Sequence, residues 1–470
     1  VLVGWLVCIG ACSDDTAAMP ATDDGAQSTA GDMDTPGDDS STSGAGTGSD
    51  TTGEDPTGDD PTGPDSTGAS GACGNGVVEA DEACDDANDV GTDACSNLCT
   101  LNFEVAWTVS VDAGTGGFDL GTDVVVAPDG TVYAVGSWTP VGTRELWIAQ
   151  FGADGSPGWT TSYAGEGSFA GAASVLLHPS GDLLVGGRVE AADEVSDPLL
   201  LRVSAVDGEI LWTQTYDGPA DDGDGEEVIL SIALDDADDL VIAGGYESEE
   251  QESPFVAHVA AADGALTWMT DLGSLPGYEA EAVRALVQAD GSIVVAVQRS
   301  GNGLPLRSEL LTVSATGAIE DQHVVGPWAI EDLAIDPEGR LVGVGYIESD
   351  TFDILVVALD EVYEERWRSH VDGPAYAQDF GQALALDDHG DVVIAAQWGE
   401  RGQARNAVVR RYDLEDGDVA WTSTYDNEEA HLDDRAWGIA TGPDDAIVVV
   451  GFETVLGEQL NAWVRRLNAP

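Results

Sequence analysis

The chain is 470 residues long and carries 88 acidic side chains against 16 basic ones, a formal charge of −72, and every basic residue is an arginine. Without lysine there is no P-loop ammonium for a nucleotide phosphate and no Schiff-base chemistry through a side-chain amine. A surface this negative repels the phosphates of nucleic acid instead of neutralising them, so no nucleic-acid partner is expected.

The opening residues, VLVGWLVCIGAC, form an apolar run too short to cross a bilayer as a helix, and they end in small residues as the core of an export signal does. The tetrad Ile9-Gly10-Ala11-Cys12 resembles the lipobox of bacterial lipoproteins. That resemblance implies that the Cys12 thiol is acylated and becomes the mature N-terminus, with residues 1–12 as the signal. A secretory signal with an incidental cysteine is the alternative. Several acyl chains anchor stably where one binds only marginally, so membrane contact is expected through the lipid alone. Residues 13–72 are Asp, Thr, Gly, Ser and Pro with hardly a large apolar side chain, and such a segment cannot bury enough surface to offset its ordering entropy. It reads as a disordered, self-repelling tether of about 60 residues, spanning on the order of 45 Å.

Residues 73–100 read CGNGVVEADEACDDANDVGTDACSNLCT, with four cysteines, Cys73, Cys84, Cys95 and Cys99. Behind an export signal they imply two disulfides, with three connectivities open. The spacing is not that of a zinc site and no histidine lies within it. Asp85, Asp86, Asn88, Asp89 and Asp93 offer oxygen ligands for a possible Ca²⁺, although no loop follows the EF-hand order and solvated turn acids are the alternative. Cys73-Gly74-Asn75-Gly76, Glu79, Glu82, Cys84-Asp85-Asp86, Asn88, Cys95-Ser96 and Cys99 resemble the myxobacterial cysteine-rich repeat. The resemblance implies secretion and a surface setting.

From 101 to 470 one grammar recurs. Asp123 to Trp159 holds four short apolar runs, two of them joined by Asp-Gly turns, which reads as a four-stranded antiparallel meander. A tryptophan lies four residues after the last turn of most units: Trp159, Trp212, Trp268, Trp367 and Trp421, with Asp321 at the equivalent place in the long gap. A second landmark ends each second strand, at Gly136, Gly187, Gly245, Val297, Gly345, Ala396 and Gly451, where a small residue is expected to let a neighbouring aromatic lie against the backbone. The seventh unit has three strands of its own, and FEVAWTVSV around Trp107 can supply the fourth. The prediction is an all-β, seven-bladed propeller closed by its N-terminal strand, a monomer with no unpaired end. Trp107, Trp159, Trp212, Trp268, Trp367 and Trp421 are expected to pack between blades, since i, i+2 and i+4 share one strand face.

The propeller contains no cysteine, its histidines sit at non-equivalent positions, and no HExxH or G-x-S-x-G occurs. No enzyme and no required cofactor are predicted. In propellers the loops that enter each blade and those joining second to third strand share a face. Here those loops are acidic, with Asp222, Asp224, Glu226, Glu429, Asp433 and Asp434 as candidate contacts to a cationic or Ca²⁺-bridged protein or polysaccharide at the cell surface. The DG-x-x-x-W pattern, as in AVDGEILWTQTY, resembles the tryptophan-docking repeat of quinoprotein-type propellers, a family with both dehydrogenases and a lipoprotein scaffold of outer-membrane assembly. The dehydrogenases use adjacent cysteines and eight blades. An assembly scaffold is therefore the nearer alternative to a surface-binding lipoprotein of the outer membrane.

Overall fold

The computed structural model describes residues 104–468 except 115, 141, 192–194, 219–225, 249–250, 302, 376, 400–403, 428–431 and 457–458. The predictions for Cys12, for Cys73, Cys84, Cys95 and Cys99, and for Asp85, Asp86, Asn88, Asp89 and Asp93 lie outside the described residues, as do the segments 1–12, 13–72 and 73–100.

The described strands form seven four-stranded antiparallel sheets. Blades 1 to 6 are contiguous in sequence, at 120–163, 170–215, 227–271, 279–326, 329–371 and 380–425. Blade 7 takes three strands from 434–468 and its outermost from Glu104–Val111. The closing pair is in the predicted place, with Trp107 opposite Arg466 and Ser110 opposite Trp463. Closure removes the edge that an open meander would leave to aggregate.

Every innermost strand carries a bulge at the same position, between Gly121 and Asp123 in blade 1 and between Ala172 and Ser174 in blade 2, for example. The bulge explains the second-strand landmark, and it corrects the expected reason. A Cβ on Gly187 would stand 2.0 Å from the Gly171 carbonyl oxygen, and one on Gly451 1.8 Å from that of Arg435. The small residue therefore makes room for the bulged backbone of its own blade, not for an aromatic from the next. In blade 3 the residue in this place is Gly244, facing the Val228 carbonyl at 1.9 Å, and not Gly245. The first turn of that blade puts Asp238, not a glycine, in the left-handed conformation at φ 61°. Counting six residues from Asp238 gives Gly244, as counting six from Gly181 gives Gly187.

Four of the outer-strand tryptophans hydrogen-bond to the next blade, and Trp212 packs its ring over Gly264 of blade 3 without an indole hydrogen bond. The four indole Nε1 atoms donate to turn carbonyls one blade on: Trp107 to Ala153 at 3.0 Å, Trp159 to Ala205 at 3.1 Å, Trp268 to Ala315 at 3.1 Å and Trp367 to Leu414 at 2.8 Å. The ring lies on a left-handed glycine of the same turn: a Cβ on Gly208, at φ 76°, would stand 2.5 Å from the Trp159 ring. Trp421 is buried at 2 % exposure in the blade 6–7 core, and the seventh blade has no turn from third to fourth strand to receive it. Between blades 4 and 5 the pairing is inverted. Asp321 replaces the tryptophan, and the turn glycine is replaced by Tyr363, left-handed at φ 65°, whose ring meets His323 at 6.0 Å. Blade 4 also holds a buried ion pair, Arg299 Nε to Glu309 at 2.9 Å.

Candidate functional site

Because the strands alternate in direction, the ring has two faces. The turn face carries the hairpins from first to second and third to fourth strand, and the loop face carries the rest. Aspartates populate both, and hydrogen bonding sorts them.

On the turn face each carboxylate finishes its own turn. Asp129, Asp154 and Asp290 accept the amides of Thr131, Ser156 and Ser292 at 3.0, 3.0 and 2.9 Å. Hydrogen bonds to the ionised form, from the Thr131 amide first at Asp129 and from the Ser156 and Ser292 hydroxyls first at Asp154 and Asp290, hold all three carboxyls below their ordinary range. Asp387 accepts the amides of His389 and Asp391 at 2.9 and 3.0 Å and pairs with Arg411 at 2.7 Å.

The loop face behaves otherwise. A carboxylate at the entry of several blades clasps the incoming loop: Asp119 accepts the amides of Ala113 and Thr139 at 2.8 and 2.9 Å, and Asp379 those of Gly373 and Gly399 at 2.6 and 2.8 Å. Glu227 accepts from Gly218 at 2.9 Å and Asp434 from Asn427 at 2.6 Å. Burial outweighs those bonds and pushes Asp379 to about 6 and Asp434 to about 7.

Deeper between the blades acids meet without cations to match. Glu252 in blade 3 and Glu281 in blade 4 are hydrogen-bonded to each other, and burial with the facing carboxylate pushes Glu252 up to about 9. Glu331 of blade 5, beside Gln298 and repelled by Glu281, is pushed up to about 8, chiefly by burial. Gln298 in turn donates to the Tyr346 hydroxyl at 3.1 Å. Glu247 and Glu279 are exposed at the rim of this cluster. Along the axis, Arg284 of blade 4 pairs with Asp332 of blade 5 at 2.6 Å and attracts Asp123 of blade 1 across the ring. Burial still raises Asp123 to about 6. Asp123 and Asp332 also accept the amides of Val175 and Leu384 in the following blades, at 2.8 and 2.9 Å, so the axial carboxylates bind blade to blade.

Of the candidate contacts, Asp222, Asp224 and Glu429 lie outside the described residues. Glu226 pairs with Arg188 at 2.6 Å, and Asp433 with Arg435 at 3.0 Å while also accepting the Arg405 amide at 3.1 Å. Asp434 is fully buried in its clasp. Glu252, Glu281 and Glu331 were not singled out by sequence, because their burial depends on blades meeting side by side. Among the described residues no three His, Cys, Asp or Glu side chains are grouped to hold a metal ion.

No family model matches the chain, and no curated protein does. Solved structures do. A quinohemoprotein alcohol dehydrogenase from Pseudomonas putida is 12 % identical over 78 % of this chain and 76 % of its own, with a TM-score of 0.46. A protein of unknown function from Dyadobacter fermentans is 9 % identical over 78 % of this chain and 100 % of its own, TM-score 0.46. A quinohemoprotein alcohol dehydrogenase from Comamonas testosteroni is 10 % identical over 78 % and 76 %, TM-score 0.45.

Proposed function

We propose that the chain is a non-catalytic binding module that takes a cationic partner, a basic protein segment or a Ca²⁺-bridged polysaccharide, on the loop face of its propeller. The observation that carries the reading is the imbalance there. Five carboxyls, Glu247, Glu252, Glu279, Glu281 and Glu331, converge from three blades, those of Glu252 and Glu331 held protonated and open to displacement of the proton by a cation, while Arg188, the guanidinium that attracts Glu281, is already paired with Glu226 at 2.6 Å. A patch of one sign attracts an oppositely charged partner, and salt weakens that attraction.

The test compares two variants, each with four carboxyls replaced by amides. One carries Glu247→Gln, Glu279→Gln, Glu281→Gln and Glu331→Gln; the other carries Asp129→Asn, Asp154→Asn, Asp207→Asn and Asp290→Asn. Titration with an oligo-arginine peptide, with and without Ca²⁺, is expected to show at least about tenfold weaker binding and a shallower salt dependence for the first only. Equal weakening by both sets removes the reading.

A further inference from the structure

We infer that Glu252 and Glu281 form a proton-operated latch across the seam between blades 3 and 4, closed while one proton lies between the two carboxyls and opened when it leaves. This inference does not rest on the binding role proposed above.

The geometry begins at Gly245. Six residues of the other blades occupy the corresponding place, one past the landmark, Ser137, Arg188, Gln298, Tyr346, Gln397 and Phe452, and of these Arg188, Gln298 and Tyr346 reach the next blade, at Glu226, the Tyr346 hydroxyl and Phe380. Blade 3 alone has a glycine there. A Cβ built on it would find Glu281 Cγ at 3.3 Å, Glu252 Oε1 at 3.7 Å and Glu281 Oε1 at 3.8 Å. The two carboxyls therefore fill the space that a side chain takes in other blades, and they come from opposite sides of the seam. Glu252 stands on the third strand of blade 3 and Glu281 on the innermost strand of blade 4.

A hydrogen bond between two carboxyl groups needs one proton. With it, Glu252 donates to Glu281; without it, two negative charges share a half-buried site. The groups facing the pair do not relieve that repulsion. Glu247 on the second strand of blade 3, Glu279 on the same strand as Glu281, and Glu331 of blade 5 with its neighbour Asp332 are all acidic. Arg188 of blade 2 attracts Glu281, but its Nη1 is committed to Glu226. Gln298 is engaged by Glu331 and Tyr346. Among the described residues that face the pair, Arg188 has no uncommitted Nη1 to meet the repulsion, so it falls on the two strands at the loop end of the seam.

Amide hydrogen exchange of the intact chain tests the latch, with rates corrected for the intrinsic effect of pH. Between pH 6 and pH 10 the amides of Glu252, Ser253, Ala280, Glu281 and Ala282 are expected to lose about tenfold or more of their protection in the wild type. Glu281→Gln and Glu252→Gln each supply an amide donor that needs no titrating proton, so both are expected to keep that protection at pH 10. Glu331→Gln, which leaves the pair intact, is expected to show the wild-type loss. Unchanged wild-type protection across the range, an undiminished loss in both pair variants, or abolition of the loss by Glu331→Gln would each overturn the latch.

Discussion

On the turn face Asp129, Asp154 and Asp290 are ionised because the fold offers hydrogen-bond donors to the charge; on the loop face Glu252, Glu331 and Asp434 hold protons because the fold buries each of them beside other acids. The same chemical group thus stabilises one end of the ring and strains the other. The difference teaches that a net charge of −72 is not one property of the surface. Turn carboxylates are construction, and the seam and rim carboxylates are a reserve of unneutralised charge available to protons or cations. The division is not absolute, since burial also raises Asp391, a turn residue that shares Arg411 with Asp387.

The contrast can be broken most forcefully at Asp387. Its side chain is 4 % exposed against Arg411, so Asp387→Ala leaves two turn amides without their acceptor and Arg411 with Asp391 alone, with an expected loss of about 2 kcal/mol by denaturant unfolding. A loss under about 1 kcal/mol would show that turn carboxylates are dispensable. The pH dependence comes next. Carboxyls with raised folded values stabilise below their unfolded values and lose that contribution as pH climbs through about 6 for Asp123 and Asp379, 7 for Asp434, 8 for Glu331 and 9 for Glu252. The depressed turn aspartates do the reverse and fail only in acid, below their ordinary range. The thermal midpoint is therefore expected to be highest near pH 5 and to fall by several degrees toward pH 9, and a midpoint rising over that interval contradicts the assignment. Glu331→Gln sharpens the point: it should stabilise by about 1 kcal/mol at pH 9 and leave stability at pH 5 unchanged. The smallest effect belongs to Asp129→Asn, whose amide oxygen still accepts from Thr131, and no resolvable shift in midpoint is expected.

Ring size, closure and the tryptophan register were legible in the sequence because each repeats and depends on local turns. Trp107 could be matched to the missing strand of blade 7 for that reason, and Ser110 lies opposite Trp463 as that match requires. Legibility failed where a repeat loses its marker. Asp238 in place of the turn glycine shifted the blade 3 landmark by one residue, and Tyr363 moved an aromatic from strand to turn, so that Asp321 looked like a plain loss. The candidate site was less legible still. An aspartate that clasps a loop, such as Asp434, and one that faces solvent are the same letter in the same kind of acidic stretch. What separates them is whether another segment's amide arrives within reach, and that is decided between blades.

The closing strand has a consequence for how the molecule is made. Thr108 and Arg465 are 357 residues apart in the chain and 3.0 Å apart in the ring. A chain emerging from its N-terminus exposes Glu104–Val111 first and its partner Leu460–Asn468 last. Until then the first strand has no ladder to join, and the six contiguous sheets must assemble with the ring still open. Any nascent or truncated chain that ends short of Leu460 leaves both Glu104–Val111 and Ala446–Thr454 without the strand they share, two unpaired borders open to other chains.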